Sequence, residues 1–169
     1  RNEFIKVNMY ESYFNQLKTY MKDLGKEVYL VVVKDQIKVE EDALKELEKE
    51  LKQLQNDQEK MEKQISKDEH NIDVSEDDIR TLEAELALKN EEIARAKVQL
   101  NSAGDDPFQK ETSKDVLKDL EKDRKKILNS IKKEKKQIVG NEADIDNTQL
   151  EIPALVEQQN RKMQEIEQQ

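Results

Sequence analysis

"NSAGDDPFQKET", residues 101–112, holds one of the chain's three glycines, one of its two prolines and the one aromatic residue that follows Tyr29. A seven-residue apolar repeat lies on either side of it. If the stretch is a turn, two helices fold onto each other; if it is a hinge, they continue as consecutive rods. A minimal helix-to-helix turn needs about two to five residues, and this stretch is longer, with "GDDP" able to cap one helix and begin the next. The turn reading predicts a hairpin with its tip loop at 101–112.

The repeat upstream runs from Leu44 to Leu100 in alternating steps of three and four. Leu47, Leu51, Leu54, Met61, Ile65, Ile72, Ile79, Leu82, Leu86, Ile93 and Ala96 occupy it, with Gln58, Asp68, Ser75 and Lys89 as its polar members. The phase never slips, which is the signature of a coiled-coil helix rather than a globular core helix. Such a run would span about 85 Å. Downstream, Leu117, Leu120, Ile127, Ile131, Ile138, Ile145, Ile152, Leu155 and Ile166 keep one phase to the end of the chain, with Arg124, Glu134, Asn141, Thr148, Gln159 and Lys162 as polar members. The second helix is expected from about residue 113, capped by Thr112 or Ser113.

The expected fold is therefore all-α: a long antiparallel coiled-coil helical hairpin over 41–169, preceded by an aromatic-rich base segment over 1–40. In a hairpin of this kind, residues whose numbers sum to about 213 face each other. That rule sets "NIDVSEDD" at 71–78 opposite "IVGNEADID" at 138–146, where Ser75, Gly140 and Asn141 weaken both helices, and an elbow is expected there. Pro153 should kink or interrupt the second helix, having no amide hydrogen to donate. The rule also opposes Lys89 to Arg124, a like-charge layer that counts against the register.

The base segment differs in kind. Phe4, Tyr10, Tyr13, Phe14, Tyr20 and Tyr29 are six of the chain's seven aromatic residues. Tyr10, Tyr13, Phe14, Leu17, Tyr20, Met21 and Leu24 share one broad face of a short helix over about 8–24, with Gly25 as its stop. Residues 27–33 read equally as strand or helix, while Leu30, Val33 and Ile37 extend the heptad phase backwards from Leu44. The segment would either fold back as an aromatic mini-core or serve as an interface, for which Tyr10, Tyr13, Phe14 and Tyr20 are the candidate residues.

Asp, Glu, Lys and Arg make up 41% of the chain and apolar residues 34%, too little for a thick core and enough for a thin seam. A net charge of −9 argues against whole-surface affinity for nucleic acid or anionic membrane. The exception is "RKKILNSIKKEKKQ" at 124–137, where Arg124, Lys125, Lys126, Lys132, Lys133, Lys135 and Lys136 form a basic stripe. It could hold a nucleic-acid backbone or anionic lipid. The favoured reading pairs it with Asp77, Asp78, Glu83 and Glu85 across the hairpin, setting register. At the tip, Phe108 is expected to staple onto Leu100 or Val116, with docking to a partner through Phe108, Asp105 and Asp106 as the alternative.

There is no cysteine, which removes disulfides and thiolate chemistry and leaves the compartment open. The longest apolar run, "VYLVVV" at 28–33, is far short of a bilayer span. A first residue of Arg instead of Met fits a processed or excised piece of a longer chain. No phosphate-binding loop can be drawn from glycines at 25, 104 and 140. His70, the single histidine, stands among Asp68, Glu69 and Asp73 as solvated charge more readily than as a metal ligand. The expectation is no cofactor, no metal, no small-molecule substrate and no enzymatic activity: a structural or scaffolding protein that spaces, tethers or assembles protein partners, or copies of itself as a homo-oligomer, through its ends. The heptads and elbow resemble in general form the arms of chromosome-maintenance and repair ATPases. That resemblance implies an arm of a larger machine with the active domains outside this chain; a segment of a membrane-associated adaptor is a separate alternative.

Overall fold

The computed structural model describes the backbone of residues 2–168 and the side chains of residues 6–168. It contains two helices that pack against each other, α1 over Asn2–Ser102 and α2 over Pro107–Glu167. The fold is an all-α two-helix hairpin.

The base segment is where the structure departs furthest from expectation. There is no separate helix over 8–24 and no stop at Gly25, because α1 runs unbroken through both. A single glycine costs a helix about 1 kcal/mol relative to alanine. With no proline before residue 107, that penalty is too small to end a helix continuing on both sides. Residues 27–33 are helical as well, so the β-branched run at Val31, Val32 and Val33 yields to its context. The aromatic side chains cover nothing: Tyr10, Tyr13, Phe14, Tyr20 and Tyr29 are all exposed, so the mini-core does not form among the described residues. The Phe4 side chain lies outside them.

The tip is shorter than expected. Four residues, 103–106, join the helices instead of the whole of 101–112. Gly104 takes a φ of 61°, a left-handed conformation that glycine adopts without a Cβ clash. Asp106 then caps α2: its Oδ1 accepts from the Phe108 amide at 3.1 Å, and its carbonyl accepts from the Lys110 amide at 3.0 Å. Pro107 follows at the first helical position, where a missing amide hydrogen is harmless. The helix thus begins six residues before Ser113, on the Asp-Pro start rather than on Thr112 or Ser113.

Neither helix breaks at the expected elbow or at Pro153. Residues 71–78 and 138–146 are helical throughout, Ser75 is buried inside α1, and Pro153 lies within α2.

The chain forms two compact units, one of Arg1–Gln55 with Gln158–Gln169 and the other of Asn56–Glu157. In the first unit, Leu44, Leu47, Leu51 and Leu54 are half-buried beside Gln159, whose Nε2 donates to the Leu54 carbonyl at 3.2 Å. In the second, Ile93, Ala96 and Ile131 are the buried apolar residues among those described, joined by Asp68 and Ser75. All seventeen repeat positions from Leu44 to Leu100 are buried or half-buried, polar members included, and so are all from Leu117 to Ile166 except Arg124. The seam is thin in both units, so packing is supplied by many partly covered side chains and not by a few enclosed ones.

Candidate interaction surfaces

Three surfaces and one buried group carry the chemistry available here. The first surface is the tip in the second unit. Phe108 is 78% exposed and staples onto neither Leu100 nor Val116; it borders a shallow depression with Gln99, Ser102, Ala103 and Thr112. Asp105 is exposed beside it, while Asp106 is committed to the helix cap.

The second surface is the basic stripe. Arg124, Lys125, Lys126, Lys132, Lys133, Lys135 and Lys136 are exposed, and none is ion-paired among the described residues. Register-setting pairs with Asp77, Asp78, Glu83 and Glu85 do not form; Asp77 instead bonds Arg80 on its own helix at 3.1 Å. The reason is angular. Lys125, Lys132 and Lys136 lie roughly 120° to 160° around α2 from the midpoint of the covered positions Ile127 and Ile131, so they point away from α1. The like-charge layer is also avoided. Arg124 turns to solvent, and Lys89 bonds Glu92 at 3.1 Å and approaches Asp123 to 4.0 Å.

An inter-helix ion pair of the first unit joins Lys162 Nζ to Glu50 Oε2 at 2.6 Å, with Glu165 at 3.7 Å. The hydrogen bond from Lys162 to Glu50 holds the ammonium above its ordinary value of 10.5, against the opposing effect of burial. The rule of about 213 sets Glu50 opposite Lys162, but it does not say that the two side chains bond. On the surface of α1, Glu59 and Lys63 bond at 2.8 Å, which lowers the first and raises the second.

The buried group is Asp68, 4% exposed. Its Oδ1 accepts from Gln64 Nε2 at 3.0 Å, and its Oδ2 has no hydrogen-bond partner. The repeat alone puts Asp68 in the seam. That one carboxylate oxygen goes unsatisfied there is visible only in the structure. In the same unit, Ser75, Asp78, Glu134, Gly140 and Asn141 line an open polar notch where Gly140 contributes no side chain.

No protein family, curated protein or solved structure matches the chain. Its function therefore rests on the geometry. Among the described residues no group of three or more His, Cys, Asp or Glu side chains could hold a metal ion, and His70 is exposed. Among them, too, no helix is long and apolar enough to cross a membrane.

The third surface is the apolar face of α1 over residues 7–39, in the first unit. Val7, Tyr10, Tyr13, Phe14, Leu17, Tyr20 and Met21 are each more than 50% exposed, and the face continues through Leu24, Val28, Val31 and Val32. Monomers rarely expose so much contiguous apolar surface without using it for contact. The sequence marks its first half, Tyr10 to Leu24, but as the packing face of a separate short helix.

Proposed function

We propose that this chain is a non-catalytic structural protein in which α1 and α2 pair as an antiparallel coiled coil that holds other components, or further copies of itself, at its ends. The observation that carries the reading is the match between the seven-residue repeat and the covered positions, which extends even to Asp68, Lys89, Glu134 and Gln159. A helix pair that spends its packing on one narrow seam encloses no volume for a substrate; what it offers is length, surface and ends. The cross-helix contacts support the antiparallel direction: Glu50 with Lys162 and Leu54 with Gln159 in one unit, Lys89 with Asp123 in the other.

Two experiments test this. Cysteines placed singly in α1 and α2 report direction, because the chain has none of its own. Leu51→Cys with Lys162→Cys should oxidise rapidly within one chain, and a preference for cross-links between Leu51→Cys and Val116→Cys would refute the pairing. Matched deletion of one heptad from each helix, residues 82–88 with 125–131, keeps the register and shortens the pair by about 10 Å. A spacer should lose activity in its native setting on this deletion and tolerate exchange of exposed charges. The reverse pattern would point to a surface site as the seat of function.

A further inference from the structure

The exposed face of α1 follows a heptad of its own. Val7, Tyr10, Phe14, Leu17, Met21, Leu24, Val28 and Val31 stand at alternating steps of three and four with no polar interruption, and each is between 47% and 74% exposed. This run is two residues out of phase with Leu30, Val33, Ile37 and Leu44, which lead into the seam shared with α2. Two residues are about 200° around a helix, so the two seams occupy nearly opposite sides of α1. Whatever covers Val7–Val31 therefore approaches from the side away from the α2 seam.

We infer that this face binds a second copy of the chain, as a parallel, in-register two-stranded coiled coil over residues 7–31. The inference rests on the structural reading above and gives it an assembly surface. Three observations choose the occupant. A strict seven-residue spacing drifts by about 20° per heptad around a straight helix, which a supercoiling partner helix can follow and a flat lipid surface cannot. The area suffices: Tyr10, Tyr13, Phe14 and Tyr20 alone offer roughly 600 Å² if covered, and the aliphatic members carry the total past the approximately 800 Å² per partner of a standard interface.

The third observation is charge, which also sets direction. In a parallel pair the residues flanking the seam meet at a five-residue offset. Lys6 then lies opposite Glu11 of the second copy, Tyr13 opposite its Lys18, and Tyr20 opposite its Gly25, where an open flank leaves room for the ring. The first is an ion pair and the second a cation–π contact, each made twice by symmetry. An antiparallel pair with all eight apolar positions matched sets Lys18 beside its own symmetry mate and Lys6 near Lys34. Parallel packing sets no like charges together at the flanks, whereas antiparallel packing does.

The test uses the full chain. Sedimentation equilibrium should show a monomer–dimer equilibrium, and Leu17→Glu with Leu24→Glu should raise its dissociation constant by at least about 100-fold. The Leu51→Cys/Lys162→Cys cross-link should persist in that variant, which separates loss of this interface from loss of the helix pair itself. Tyr10→Cys alone, in a glutathione redox buffer, should give a covalent dimer. Cross-linking only when Tyr10→Cys chains are mixed with Val28→Cys chains would overturn the parallel direction. A monomer at every concentration would overturn the interface. A monomer that binds vesicles of mixed phosphatidylcholine and phosphatidylserine through this face would reassign it to lipid.

Discussion

Replacing Asp68 with leucine should stabilise the pairing of α1 and α2. The site is 4% exposed and lies in the thin seam of the second unit, among half-buried Ile65 and Ile72. A leucine filling that position gains about 1.5 to 3 kcal/mol from burial. Removing a carboxylate with one unbonded oxygen relieves a further 1 to 3 kcal/mol or so, the usual desolvation penalty of an unsatisfied buried polar group. Against this stand the lost bond from Gln64, about 1 kcal/mol, and the imperfect fit of a branched side chain, of similar size. The net gain is about 0.5 to 4 kcal/mol, and for a chain of this length it should raise Tm by about 1 to 16 °C. Thermal unfolding followed by far-ultraviolet circular dichroism at pH 7 reads it directly. Asp68→Asn, which removes the charge and keeps the shape, should fall between the wild type and Asp68→Leu. If Asp68→Leu leaves Tm unchanged or lowers it, the carboxylate is satisfied in solution and the seam does not close over it as described. Comparing the two variants by sedimentation would then show whether the polar layer serves to limit assembly, since a polar seam residue can specify oligomeric state at a cost in stability.

Three further outcomes follow from the geometry. The Lys162 ammonium is raised above its ordinary value of 10.5 by Glu50, so its contribution is fully present below that value and disappears as pH climbs through the higher folded value; the Tm gap between wild type and Lys162→Met should hold from neutral pH to about pH 9 and close in strong alkali. A gap that stays constant into strong alkali would mean that the ion pair adds nothing and that only the packing of the side chain matters. Gly140→Ala should raise stability by about 1 kcal/mol, because Gly140 is inside α2 and its added Cβ meets nothing within 4 Å. Gly104→Ala should lower stability by about 1 kcal/mol despite equally open surroundings, since its φ of 61° strains any residue with a Cβ; urea unfolding of the two variants should shift the midpoint in opposite directions.

Which residues face inward along the hairpin is legible in the spacing of its apolar residues, because burial on a helix pair follows periodicity and little else. The repeat names Asp68 and Gln159 as seam residues in spite of their polarity, and they are among the most buried side chains of the protein. Local signals are harder to weigh. Gly25 reads as a stop and Asp106-Pro107 as part of a longer loop, yet the same kinds of residue end one helix and pass through another. The difference is whether the flanking sequence can offset the local cost. Around Gly25 helix-forming residues continue on both sides, whereas at Gly104 the left-handed turn is completed by an aspartate cap and a proline at the one place where proline favours a start. The basic stripe misleads for a related reason: residue numbers give opposition along the axis, but pairing also requires the side chains to point toward the partner helix.

The fold class, the seam and a reversal near Gly104 follow from the order of residues alone, since each depends on periodicity or on the conformational limits of single residues. The packing of the folded chain settles how far each helix runs, that the aromatic face of α1 is exposed among the described residues, that Lys162 bonds Glu50 and that one oxygen of Asp68 has no hydrogen-bond partner. Those outcomes depend on the angle at which each side chain leaves its helix and on whether a partner atom waits there, and a one-dimensional repeat specifies neither.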